Sequence, residues 1–275
     1  MKSVETGGPL ALPTLVTVGG PHLPRIHAST DGGSGAALID LRDPPFRAEL
    51  LHPADPASEP ARLLEAEVFR ASFGVTREQF DAAYGPYDNG SLFFTVTDTR
   101  RTEVQGVARI IVDNPAGFIS LNDTERTWGL TVADMQLLGA APATLSRTWD
   151  VATLAVAPGS RQGVVSMILY QLMLRTITEI GINWLVSIQD VRVFRMLRAR
   201  LNCMFEPWPS ASPALYSGSV SVPVFCLAER YRTRLCVEHP DKYQRLYNAT
   251  GSEDITTFVP ASDEVHSLLT GSMIS

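Results

Sequence analysis

A single carboxylate interrupts an otherwise apolar, strand-like run. Trp149-Asp-Val-Ala-Thr-Leu-Ala-Val156 sets Asp150 among residues that favour a buried, extended backbone. Burial disfavours the charged form of a carboxylic acid, so an Asp in this setting can accept a proton near neutral pH. The plainer alternative is an ion pair with Arg109 or Arg147. The run ends at a Pro158-Gly159 turn, and Gly163 opens a long apolar helix, Val164 to Ile180. A strand, a short polar turn and a helix N-terminus gather N–H groups around one point, a geometry that holds a pyrophosphate. An ordinary β–α turn has the same outline, so the spacing alone does not name a ligand.

Around this block the chain predicts a mixed α/β sheet covered by helices. Ser58 or Glu59 with Pro60 starts a helix that carries Leu63, Leu64, Val68 and Phe73 on its apolar face and stops at Gly74. Residues 80–87 read as a short helical turn and loop. Residues 92–97 and 104–112 read as an antiparallel pair. A long connection, 113–146, holds helical pieces at 124–128 and 132–138. Strand 149–156, helix 164–180, strand 183–188 and helix 190–200 follow. A short strand is expected at 204–205 and a strong one at 220–227, with tail helices at about 229–236 and 240–248. Residues 1–35 are rich in Gly and Pro and predict a loose arm. A first strand could lie at 36–42, and 43–60 reads as loop. The end, 250–275, is polar with few apolar anchors. The expected division is an arm over 1–58, one domain over 59–228 and a helical extension and tail over 229–275.

The 275 residues are 45% hydrophobic, enough for one large domain. A net charge of −6 argues against broad nucleic-acid binding, which needs a basic field. It leaves room for a local patch at Arg192, Arg195, Arg198 and Arg200, read first as a solvated helix face. Cys203, Cys226 and Cys236 lack metal-ligand spacing and predict free thiols in a reducing compartment. The first thirty residues lack a signal-peptide pattern, so a cytoplasmic protein without membrane insertion is expected. None of the five histidines falls in the motif block, which argues against a histidine triad or a metal site. Trp149, Trp184, Phe93 and Phe94 could line an apolar channel, although strand aromatics are more often core.

Several short motifs, in order, give the chain a family resemblance. They are Glu67-Val-Phe-Arg70, Pro86-Tyr-Asp88 followed by Asn-Gly-Ser-Leu-Phe-Phe94, Val104-Gln-Gly-Val-Ala-Arg109, and Trp149-Asp-Val-Ala-Thr-Leu-Ala-Val156. Over about residues 60–228 the pattern resembles the GNAT acyltransferase fold, closest to its autoinducer-synthase and N-acyl-amino-acid-synthase branch. That fold is a central, mostly antiparallel twisted sheet with a βαβ cleft, flanked by helices. Asp150 stands where the branch has Glu, Ala152 where it has Ser, and Thr153 where it has Arg. Arg161 stands two residues before Gly163 rather than three, and Val165 takes a second glycine's place.

The resemblance implies an N-acyltransferase. Its donor would be acyl-CoA or an acyl-phosphopantetheine carrier protein, its acceptor a small amine such as an amino acid, with no metal. The backbone of Leu154, Ala155 and Val156 would face the pantetheine arm, and the N–H groups of Arg161, Gln162, Gly163 and Val164 the phosphates. Asp150 would be the base, or would hold the acceptor's ammonium, and Tyr216 could protonate the leaving thiolate. Arg70, Tyr87, Asp88 and Arg109 map onto substrate-entrance positions, with Trp149 beside them. Direct attack on the thioester is expected, since no activated nucleophile is visible. Two rival readings stand: an aminoacyl-tRNA-dependent transferase on the same fold, and an inactive GNAT-like scaffold. The arm and tail could cap the active site or make a homodimer.

Overall fold

Alternating apolar residues put nine strands into one sheet in the computed structural model, which describes residues 44–136, 145–160 and 163–270. The first strand, β1, is Phe46–Leu51. Helices α1 (Ser58–Phe73) and α2 (Arg77–Tyr84) lead through a 3-10 turn, Gly85–Gly90, into β2 (Ser91–Asp98) and β3 (Glu103–Ile111). Next come α3 (Ile119–Trp128), α4 (Val132–Gln136), β4 (Thr148–Val156), α5 (Val164–Ile180), β5 (Trp184–Asp190) and α6 (Val191–Arg200). The chain closes with β6 (Glu206–Pro207), β7 (Ala214–Tyr216), β8 (Ser219–Leu227), α7 (Ala228–Glu238), α8 (Pro240–Tyr247), β9 (Thr256–Phe258) and α9 (Asp263–Thr270).

The strand order is β6-β8-β5-β4-β3-β2-β1-β9, with β7 also on β8. Pairs β4–β5 and β1–β9 are parallel, and the others are antiparallel. This is the mixed α/β architecture predicted. Helix α5 covers one face and builds the larger core with Trp149, Val151, Leu154 and Val156 of β4. Helices α1 and α2 cover the other face, where Phe69 and Phe80 meet Phe93 and Ala155. Trp149, Trp184, Phe93 and Phe94 are all buried core. Among the described residues, no helix is long and apolar enough to cross a membrane.

Several expectations are corrected. Residues 43–60 are not all loop, because β1 lies there and pairs with β2 from Phe46↔Asp98 to Leu51↔Phe93. The prolines on either side disguise a six-residue strand. The tail is better anchored than its polarity suggests: β9 extends the sheet beside β1, and Val265 and Leu269 join the main core. The sheet therefore reaches into the stretch expected as an arm to residue 58 and into that expected as an extension after 228. The inner face of α1 holds Ala61, Glu65, Val68 and Phe69, while Leu63 is exposed. Residues 77–84 form a full helix, started by a Thr76/Gln79 capping box. The short strand expected at 204–205 falls at Glu206–Pro207. The candidate strand at 36–42 lies outside the described residues.

Gly106 lets α5 sit close to β3. A Cβ there would lie 2.4 Å from Val165 Cγ1, a stiff, buried side chain, and 3.1 Å from Leu169 Cδ1. Gly106→Ala is expected to lower unfolding free energy by about 1–3 kcal/mol through overpacking, read by urea denaturation. An unchanged midpoint would mean that α5 can back away freely.

Candidate active site

The β4–β5 ladder is short. It pairs Thr148↔Trp184, Trp149↔Leu185 and Asp150↔Val186, then ends, although β4 runs nine residues and β5 seven. Beyond Asp150 the two strands part at their C-terminal ends, leaving a fork in the sheet. Two features keep it open. In β4, Arg109↔Thr153 is followed by Ile110↔Val151, so Ala152 is an extra residue, a β-bulge that bends the strand. Ser187 Oγ, on β5, donates to the Val151 carbonyl at 2.9 Å, a side-chain tie in place of a ladder bond. Farther along β5, Gln189 is fully buried, and its amide oxygen and nitrogen have no partner among the described residues. A buried amide left unpaired is costly, which marks this stretch as a place where polar groups are wanted.

Asp150 sits at the root of the fork with no solvent exposure. Burial pushes its carboxyl up to about 7, against the opposing effect of two hydrogen bonds from Ser120. Ser120 N donates to Oδ2 and Ser120 Oγ to Oδ1, both at 2.6 Å. The ion pair with Arg109 or Arg147 weighed from the sequence is not what holds Asp150; Ser120 of α3 does. One turn later, α3 presents Asp123, which accepts a short hydrogen bond from Tyr216 Oη and pairs with Arg126 at 2.6 Å. Burial raises the Asp123 carboxyl, with Tyr216 and Arg126 opposing. The two residues predicted as catalytic are thus brought to one turn of α3, by Ser120 and Asp123. Neither was foreseen, and the i, i+3 spacing of two small polar residues in the long connection was their only trace.

On the α1 face lies a buried ion network. Arg109, 2% exposed, donates to Glu65 through Nε at 3.1 Å and Nη2 at 2.7 Å, and to Asp88 through Nη1 at 3.0 Å. Arg62 reaches the same Asp88 oxygen at 2.8 Å, and Thr153 Oγ1 donates a short bond to Glu65. Burial opposes charge on Arg109, yet Glu65 more than offsets it and holds the guanidinium above its ordinary value. Tyr84 and Phe93 lie within 4.8 and 4.9 Å of the guanidinium carbon, close enough for cation–π attraction. Asp88 and Arg109 therefore meet as predicted. Arg70 does not join them: it is exposed on the outer side of α1, and Glu65 holds the inward position. Glu65 was missed, although a lone carboxylate one turn before Phe69 on a helix's inner face was legible.

A cavity of about 460 Å³ opens beside the network, lined by Arg62, Arg77, Asp81, Tyr84, Asp88 and Arg109 among others. The buried Tyr84 hydroxyl has no partner among the described residues, and burial, then Glu65, raises its pKa well above the usual phenol range. Tyr87 is half-buried and accepts from Asn122 Nδ2 at 3.0 Å; burial raises its phenol as well.

Leu154, Ala155 and Val156 lie on the part of β4 beyond the fork, registered against β3. Trp149 packs against Phe94 in the core. Gly163 caps α5 with φ of 100°, a conformation that favours glycine, and Val164 is 44% exposed beside it. Arg161 and Gln162 lie outside the described residues. Of the α6 arginines, Arg192 pairs with its own N-cap, Asp190, at 2.7 Å. Cys226 is buried, and burial raises its thiol, so it is an inert core residue.

No family model matches the chain, and no curated protein does. Solved structures do share its fold. A CoA-dependent acyl-homoserine lactone synthase, BjaI, seen with SAM and isopentyl-CoA, superposes with a TM-score of 0.52 at 13% identity, covering 81% of this chain and 98% of that one. FeeM, an N-acyl amino acid synthase from uncultured soil microbes, gives 0.51 at 14% identity, covering 71% and 99%. The fold is GNAT-like, as the motif order implied.

Two measurements check the site's physics. Glu65→Ala should destabilise the protein by about 3–5 kcal/mol in urea, because Arg109 is left buried and under-paired, and the double change Glu65→Ala/Arg109→Met should cost less. A double variant weaker than the single would refute that account. For Asp150, the folded pKa lies above its ordinary 3.8, so the folded state holds the proton more tightly. Its contribution is full at low pH and is lost as pH rises through about 7. Asp150→Asn should therefore gain stability relative to wild type steadily between these two values, followed as Tm against pH. A constant difference would mean that Asp150 titrates normally.

Proposed function

We propose that the protein is a GNAT-like N-acyltransferase that moves an acyl group from a thioester donor to the amine of a small acceptor such as an amino acid. The observation that carries this reading is the fork: a parallel ladder that ends at a buried carboxylate poised near neutral pH. The donor's extended arm would lie between β4 and β5 beyond Asp150, along Leu154 to Val156, with the amide of Gln189 available to its polar groups. The fold shared with acyl-homoserine lactone and N-acyl amino acid synthases supports the same placement.

In this reading the acceptor enters through the cavity at Arg62, Tyr84, Asp88 and Arg109. Arginine suits an acceptor carboxylate, and Asp88 suits an ammonium. The neutral amine attacks the thioester carbonyl, the C–N bond forms and the C–S bond breaks. The proton lost by nitrogen goes to the Asp150 carboxylate, and the leaving thiolate takes a proton from Tyr216, whose phenol Asp123 orients. At neutral pH Asp150 is divided between its two forms, the condition in which a general base combines availability with strength.

The experiment is thiol release from a panel of acyl-CoA and carrier-bound donors with small amines. Turnover is expected with at least one pair. Asp150→Asn should lower kcat by about 10²–10⁴-fold and remove the limb near pH 7 from the pH profile of kcat/KM. Absence of thiol release from every donor would reject the reading, and undiminished turnover in the variant would remove Asp150 as base.

A further inference from the structure

The part of the chain beyond β8 builds a second cleft, which the catalytic argument does not use. It has a volume of about 840 Å³ and lies between the start of α5, the end of α6 and α8 with the loop that follows. Three cations from two helices face it: Arg200 of α6, and Lys242 and Arg245 of α8. One carboxylate, Asp241, shares the lining. Val164 and Met167 of α5 give it an apolar wall.

These cations are not spent on ion pairs. Arg200 and Arg245 make none among the described residues, and Lys242 Nζ donates to a neutral group, Asn202 Oδ1, in a short hydrogen bond. Asn202 has a φ of 50°, and Arg234 donates to its carbonyl at 3.2 Å, so the turn that positions Lys242 is itself held. The wall is fixed to the fold as well. Gln171, fully buried on α5, donates from Nε2 to Arg245 O at 2.8 Å and to Ser252 Oγ at 2.9 Å, both residues of the cleft lining. Its Oε1 is buried without a partner among the described residues. A polar group deep behind the lining thus retains an unused acceptor. Gly163 also belongs to the lining, and a Cβ there would lie 3.3 Å from Arg200 Nη1, so the start of α5 and the cation sit together.

We propose that α8 and Arg200 form a pocket for the nucleotide bisphosphate end of a coenzyme-type thioester donor. The assignment rests on the acyltransferase reading and deepens it: the donor class is a nucleotide-bearing thioester rather than a carrier protein. Three cations against one carboxylate match a polyanion, and the apolar wall matches a flat heteroaromatic base. A cleft recessed among three helices admits a group that inserts, whereas a carrier protein presents a convex surface. The C-terminal segment then contributes a wall of the donor site and sets donor preference.

The test uses adenosine 3′,5′-bisphosphate with the full chain, by titration calorimetry. Wild type should bind it, and Lys242→Ala/Arg245→Ala should bind at least about tenfold more weakly, while Arg195→Ala on the outer side of α6 should not change binding. In turnover, wild type should prefer an acyl-CoA to the same acyl-pantetheine. The double variant should lose that preference through KM, with turnover of acyl-pantetheine unchanged, which also shows that it is folded. No bisphosphate binding by wild type, equal binding by the double variant, or a preference for carrier-bound donor over acyl-CoA would overturn the assignment and leave the acyltransferase reading standing. Failure of all thioesters to react would reject that reading, while the bisphosphate titration still decides the pocket.

Discussion

Arg109 is the constraint on which the α1 face of this sheet is built. Its guanidinium is nearly sealed from water in the middle of β3, where an unpaired charge would be very costly. Every neighbour is placed to prevent that. Glu65 comes from α1, Asp88 from the turn before β2 and Thr153 from β4, while aromatic faces of Tyr84 and Phe93 close the remaining sides. The network therefore joins four separate segments at one point. A pair of this kind adds little net stability over apolar packing, but it fixes geometry, because each partner must sit where the guanidinium's planar fork aims.

That geometry reaches the fork. Regular alternation along β4 would turn Thr153 toward the α5 side with Trp149 and Val151. The bulge at Ala152 reverses it, so Thr153 meets Glu65 while Leu154 and Val156 return to the α5 core. The bend that satisfies the ion network is thus the same bend that carries β4 away from β5. On the opposite side of the fork, Ser187 ties β5 to Val151 just past the last registered pair. The cleft is then a consequence of how two strands are anchored, one by a buried charge and one by a hydroxyl.

The central order β-β-α-α-β-α-β-α-β was legible because its strands and helices are apolar and their turns carry Gly, Pro and Asp. Segments flanked by proline or short of apolar residues were not. Phe46–Leu51 alternates weakly and gains its strand identity from β2, and Thr256–Phe258 gains it from β1, so both are fixed by partners distant in sequence. Asp150, Asp88 and Arg109 could be found because charge inside an apolar run, or beside a turn, is conspicuous. Glu65 and Ser120 could not be ranked in the same way. A Glu on a helix resembles any solvated residue until the depth of its face is known, and a serine has no signal apart from the carboxylate it meets. Arg70 drew attention by adjacency to Phe69, but adjacent helical residues point about 100° apart.

The pKa of Asp150 shows why α3 matters to the chemistry although it contributes no predicted motif. Burial alone would keep the acid protonated through neutral pH, which leaves no base. Two donors from Ser120 alone would hold it ionised and make it a weak base. The two influences oppose each other at one carboxylate, and the outcome lies near 7 because neither dominates. Asp123, one turn along the same helix, adds a smaller push toward the neutral form. Moving α3 would release the Ser120 bonds and return Asp150 to the protonated state, so the position of this helix, set by packing against β4 and β5, acts as the control on proton acceptance at the fork.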